Sequence, residues 1–169
     1  MAHSARDRLA RAAVAAGPLW CLAVESVIWA VLMTASAVLS LTLEGWQDRF
    51  GIAVVALLFF VSALVAYSPS VLAACLLSER RGLETRFAAH FLMLAAGTVA
   101  TAAVLNGLWL RSYFAAWHAA PFSIEWTFQF VFTVAGGAYQ FALFGMRLYL
   151  PLGFAALLAF ALWRTARMR

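Results

Sequence analysis

Lysine is absent, and charge of either sign is scarce. Twelve arginines and seven acids are all that 169 residues carry, 11% of the chain. Ordinary soluble proteins carry about 25% charged residues, so a free-standing soluble domain is excluded. Two cysteines and three histidines leave little ligand chemistry. No Cys-x-x-Cys-His, no closely spaced ligand group and no acidic metal cluster occurs, so neither metal nor cofactor is expected. The Gly-x-Ser-x-Gly nucleophile and the glycine-rich phosphate loop are missing too. The polar segments are too short to enclose a separate catalytic core.

What is there is apolar. Hydrophobic residues make up 66% of the chain and the mean hydropathy is +0.90. A membrane span needs about 20 such residues in a row. The runs predict an all-α integral membrane protein with four transmembrane helices, at about 18–43, 51–78, 87–110 and 146–163. All belong to one polytopic domain over 1–169. The basic start followed by an apolar run mimics a signal peptide, but the run is longer than the 7–15 residues of a secretory core. It is expected to stay as the first span.

The arginines set the expected orientation. Arg6, Arg8 and Arg11 precede the first span, Arg80, Arg81 and Arg86 separate the second and third, and Arg164, Arg167 and Arg169 close the chain. Only Arg49 and Arg111 fall on the other side, with Arg147 within the last apolar stretch. The positive-inside rule places both termini in the cytoplasm. Tryptophan agrees: Trp20 and Trp163 fall at one interface, and Trp46, Trp109, Trp117 and Trp126 at the other. Arginines beside spans fit anionic headgroups and not nucleic acid. Abundant Ala and Arg without Lys fit a GC-rich bacterial genome, hence an inner-membrane location. Cys21 and Cys75 lie near the same inner face, where no structural disulfide is expected.

Residues 126–163 are too long for one span, about 57 Å at 1.5 Å per residue. Three readings compete. The segment 126–145 is a re-entrant or interfacial element bending at Gly136-Gly137; or two spans meet in a turn at 145–151; or one long helix projects outward. The two-span reading exports the last arginines and violates the charge rule. Backbone that bends within lipid must be covered by protein or line a wet cavity.

Helix packing is expected along Ala96, Ala100, Ala103 and Gly107 in the third span, whose spacing puts small residues on one face. Ser62, Ala66 and Ser70 form a similar stripe in the second. Pro69 predicts a kink there, with a serine hydroxyl filling the gap in the backbone ladder.

Two polar clusters stand out as candidate sites. Glu25 is the one carboxylate inside a span, and an acid at that depth faces protein or water. Tyr67, Ser68, Ser70 and His90 approach the same level, making a candidate cation, proton or headgroup site. The bland alternatives are a Glu25–His90 or Glu25–Tyr67 hydrogen bond that fixes packing, or a glutamate paired with a tail arginine. On the other side Arg147, with Gln129, Gln140 and His118, is a candidate anion site. Its bland alternatives are an interface marker and a partner for Glu125.

Trp46-Gln-Asp48-Arg49 before the second span and Pro151-Leu-Gly-Phe154 in the last resemble positions in the small membrane subunit of tripartite periplasmic substrate transporters. That resemblance implies a transporter subunit. The segment 126–145 departs from the pattern, as does Gln47-Asp48 where that family has paired acids.

The functional expectation is a small non-catalytic subunit of an inner-membrane complex. Its partners are the lipid bilayer and either a larger membrane protein or copies of itself. A small oligomeric transporter or channel is the alternative, and a membrane-embedded lipid- or quinone-modifying enzyme the third.

Overall fold

A computed structural model describes residues 2–150 and 152–167, so Pro151 and Arg169 lie outside the described residues. Among them every regular element is a helix and there are no strands. Helix α1 covers Ala2–Ala16, α2 Leu19–Leu43, α3 Arg49–Leu77, α4 Leu83–Tyr113, α5 Ile124–Gln140 and α6 Leu152–Arg167. Three of these, α2, α3 and α4, are long and apolar enough to cross a membrane. A fourth crossing arises only if α5 and α6, bent by 78° across the break between them, count as one.

Local chemistry sets the boundaries. Gly17 takes a left-handed φ of 94°, and Pro18 follows as the N-cap of α2, so α1 and α2 are separate helices. Asp48 caps α3 by accepting from the Phe50 N–H at 3.1 Å, and Ser123 caps α5 by accepting from Trp126 N–H at 3.0 Å. Helix α3 continues through Pro69 without interruption. The arginine-bearing N-terminal segment is a helix, α1, which packs on α3 and buries Ala12 and Ala16.

The core follows one face of α2. Leu22, Glu25, Ser26, Trp29, Met33, Ser36 and Ser40 are buried, at the three- and four-residue spacing of a single stripe. Trp29 donates to Thr98 Oγ1 at 3.1 Å and its ring meets Tyr67 and Phe160. Helices α3 and α4 cross where Gly97 faces Ser70: a Cβ on Gly97 would fall 2.0 Å from the Ser70 hydroxyl. The Ser62–Ala66–Ser70 stripe is therefore an internal seam. In α4 only part of the small-residue stripe is used. Gly107 is buried and Ala103 half-buried, whereas Ala96 and Ala100 are exposed.

The stretch before α6 corrects the expected bend. Gly136 and Gly137 lie within an unbroken α5, so no hairpin forms there. The direction changes later, through a π-helical turn at Phe141–Gly145 and a 3-10 turn at Met146–Tyr149. A straight projecting helix is excluded as well. Gly137 serves a different purpose: a Cβ there would lie 2.6 Å from the Gly107 Cα, and Asn106 Nδ2 donates to the Gly137 carbonyl at 2.8 Å. Two glycines thus let α4 and α5 touch backbone to backbone.

Serines on α2 repair the broken ladder. Ser36 Oγ donates to the Leu148 carbonyl and accepts from Gly153 N–H, both at 3.1 Å. Ser40 Oγ donates to the Leu150 carbonyl. Irregular backbone in an apolar setting needs such partners. Helix α6 alone is about 24 Å long at 1.5 Å per residue, short of the roughly 30 Å hydrocarbon layer. Its helical start beside Met33 lies partway along α2.

Candidate functional site

The stripe of α2 carries Glu25 into the same core end that receives the last turns of α6. On α6 the buried positions are Gly153, Ala156, Leu157, Ala161, Arg164 and Thr165, so the helical repeat that buries aliphatics also delivers Arg164 inward. Arg164 Nη1 donates to Glu25 Oε2 at 3.0 Å, and Tyr67 O–H donates to the same oxygen at 2.8 Å. Arg167 Nη1 donates to Oε1 at 3.0 Å while its guanidinium lies 4.4 Å from the Trp163 ring centre. Arg164 also reaches back to α1, donating from Nη2 to the Ala16 carbonyl at 2.9 Å. A cation at a helix C-terminus is favourable.

Four helices therefore meet at one carboxylate: α2 supplies Glu25, α3 joins through Tyr67, α6 through both arginines, and α1 through the bond from Arg164 to the Ala16 carbonyl. The side chains of Glu25 and Arg164 are 6% and 4% exposed, and that of Arg167 is 53% exposed. The pair is thus closed on one side and open to the surface on the other. Both carboxylate oxygens are occupied, so the site as built holds an ion pair and offers no bare acid for a cation.

The expected inner cluster is only partly assembled. Glu25 and Tyr67 are brought together. Ser68 hydrogen-bonds to Ser26 at 3.2 Å, one residue from Glu25, and Ser70 belongs to the α3–α4 seam. His90 is fully buried, and its Nδ1 lies 2.9 Å from the Arg86 carbonyl. That carbonyl can only accept, so Nδ1 carries a proton and donates it there. Nε2 has no hydrogen-bond partner, and no Glu25–His90 bond forms. The Cys75 thiol lies against the Arg164 guanidinium, and both cysteines are free. Arg164 and Arg167 stand outside the candidate cluster, but the Glu25–Tyr67 bond and the pairing of Glu25 with a tail arginine, both expected as packing alternatives, are found. The signal for the arginines is the three- and four-residue spacing from Ala161, which continues the α6 core face to Arg164.

At the arginine-rich end, the turn between α3 and α4 carries Glu79. It pairs with Arg11 and Arg8 of α1. The hydrogen bond from Arg11 holds the Glu79 carboxyl below its ordinary value, with the charges of Arg11, Arg8 and Arg80 adding to it against a smaller effect of desolvation than that of the hydrogen bond.

The second expected cluster divides in two. His118 Nε2 lies 3.3 Å from Thr133 Oγ1 and Gln129 accepts from Ala119 N–H at 2.8 Å, so these two hold the α4–α5 connection against α5. Gln140 and Arg147 line a cavity of about 220 Å³ with Asn106 and Trp46. Arg147 is paired with Glu44 at 3.0 Å, in place of the expected Glu125. Arg111 lies over the rings of Trp126 and Phe130. A larger apolar groove, about 430 Å³, runs between α2, α4 and the start of α6 past Trp29, Phe91 and Phe154.

Among the described residues no group of histidines, cysteines and acids is placed to hold a metal. Of the residues that carried the resemblance to tripartite-transporter subunits, Asp48 is the N-cap of α3, Leu152, Gly153 and Phe154 open α6, and Pro151 lies outside the described residues. Comparison with known proteins adds no relative: no family, no curated protein and no solved structure matches the chain.

Proposed function

We propose that the protein is a small non-catalytic subunit of a bacterial inner-membrane complex, with both termini in the cytoplasm. The observation that carries this reading is the closure of Glu25 by Tyr67, Arg164 and Arg167. The intramembrane carboxylate, the residue most suited to transport or catalysis, is committed to holding four helices together. The serines of α2 are committed in the same way to the break before α6. What this leaves outward is apolar, including Phe128, Val131 and Phe132 on α5 and Val104 and Leu108 on α4. Such a surface suits lipid and a larger apolar partner.

The test is purification after mild solubilisation, followed by mass measurement in lipid nanodiscs. A larger membrane protein retained at fixed stoichiometry supports the reading. A homo-oligomer that moves solute across liposomes overturns it. That second outcome belongs to the alternative of a small oligomeric transporter. One observation favours it: the interrupted helix at Phe141–Tyr149 sits beside Asn106 and Gln140 and carries Arg147, and transporters place their binding sites at such breaks. Orientation is tested by cysteines at Arg81 and Ser112. Labelling of Ser112→Cys, and not Arg81→Cys, by an impermeant reagent outside spheroplasts is the expected pattern.

A further inference from the structure

The apolar groove of about 430 Å³ beside Trp29 has its origin in the break before α6. The 3-10 turn at Met146–Tyr149 and the residue after it are pinned to α2 by Ser36 and Ser40. Helix α6 begins only at Leu152. Between this late start and α4 a gap is left, walled by Met33 of α2, Phe91, Ala95 and Val99 of α4, and Phe154 and Leu157 of α6.

The polar groups along the groove are already committed. Trp29 Nε1 donates to Thr98 Oγ1 at 3.1 Å. Tyr149 turns its ring to Phe59 and Phe141 and its hydroxyl toward Ser62, none of which lines the groove. Arg147, at one end, is held by Glu44. A water molecule needs two to four polar partners and finds none free among the described residues. An apolar space of this size instead suits an apolar guest.

Shape narrows the choice. From Phe91 to Val99 the groove follows α4 for about 12 Å at 1.5 Å per residue. Over that length its 430 Å³ corresponds to a mean cross-section of about 36 Å², against roughly 80–110 Å² for a helix 10–12 Å across. A helix of a second copy is too wide to enter, whereas a single extended hydrocarbon chain is not. Met146, Leu150 and Phe154 are exposed at the mouth. Helices α2 and α4 are both long and apolar enough to cross a membrane, and the medium beside such helices is hydrocarbon. The two methionines of the wall, Met33 and Met146, adapt readily to an irregular guest.

We propose that one acyl chain of a membrane phospholipid lies in this groove along α4, filling the gap that the late start of α6 leaves. The inference rests on the membrane location proposed above and not on the subunit role.

The experiment is photo-crosslinking of the full chain in nanodiscs of phosphatidylcholine that carries a diazirine midway along one acyl chain, followed by peptide mass mapping. Met33 and Leu157 are 2% and 8% exposed, so lipid sliding over the outside of the bundle does not reach them. Adducts on both are expected. A95F fills the groove and is expected to cut their yield about tenfold, the effect of losing about two buried methylene contacts. A95V is expected to give an intermediate loss. Adducts on Val104 and Leu108, exposed on the same helix, are expected to persist in all three chains and so report an intact bundle. Absence of adducts on Met33 and Leu157 overturns the proposal, as do equal yields in the wild type and A95V. Displacement by a trace mole fraction of polyprenyl quinone would assign the groove to a prenyl tail and overturn it too. Release of the chain from cell membranes by alkaline carbonate overturns the membrane location and the groove together; retention without adducts overturns the groove alone.

Discussion

Glu25 Oε2 and Arg164 Nη1 lie 3.0 Å apart in the core, although 139 residues separate them in the chain. Breaking a buried pair by removing one partner is costly because the other is left charged and unpaired. Glu25→Gln and Arg164→Gln are each expected to lower stability by about 3 kcal/mol, read as a lower thermal midpoint in detergent. Replacing both at once by leucine is expected to recover most of that loss. A double variant no more stable than the singles would show that the pair is not the unit.

Arg167 touches the same carboxylate from the surface and is half exposed. Exposed pairs contribute about 0–1 kcal/mol. Arg167→Ala is therefore expected to shift the thermal midpoint far less than Arg164→Gln does, and a comparable drop would argue against the division of the site into a closed and an open side.

The glycine contact predicts a contrast between neighbours. Gly137→Ala puts a methyl group against the Gly107 backbone and is expected to cost about 1–3 kcal/mol through helix displacement. Gly136→Ala meets nothing within 4 Å and is expected to be neutral or slightly stabilising. Thermal unfolding of the two variants side by side decides it.

These residues also show what is legible in sequence and what is not. A lone carboxylate in a long apolar run announces Glu25 as paired, and the excess length of 126–163 announces an interruption. The place of the interruption is announced twice over, at Gly136-Gly137 and at 145–151, and only the second overlaps the break at Phe141–Tyr149. A Gly-Gly pair reads as a bend, but its smallness is used sideways, against α4. The actual break is fixed by Ser36 and Ser40 of a distant helix, whose hydroxyls stabilise open carbonyls. The basic N-terminal segment reads as a tail because its helical face is only alanine-deep. The split of His118 and Gln129 from Gln140 and Arg147 is likewise tertiary, since Glu44 captures Arg147 from the far end of α2.

Glu79 predicts a pH response at the arginine-rich end. Its folded-state pKa is depressed, first by the Arg11 hydrogen bond. Such a group stabilises the docked state above the ordinary carboxylate range, and the contribution is lost as pH falls through the lowered folded value. Trypsin cleavage at Arg8 and Arg11 of acid-treated protein, fixed before digestion by a rapid amine-independent crosslink, is expected to rise in that window. Glu79→Gln is expected to give the acid behaviour at neutral pH.

Arg80→Gly is expected to relieve the left-handed backbone at φ 58° and raise stability by up to about 1 kcal/mol, read as a higher thermal midpoint; a lower midpoint would show that the arginine side chain contributes more than the backbone costs.

The long reach from Glu25 to Arg164 has a consequence for biogenesis. The acid leaves the ribosome in the first long apolar helix and its buried counterion in the last. Until α6 is made, Glu25 lacks both of its arginine partners, and an isolated charge in an apolar setting is costly. A polypeptide truncated before α6 therefore loses the contact that ties its first long apolar helix to its last.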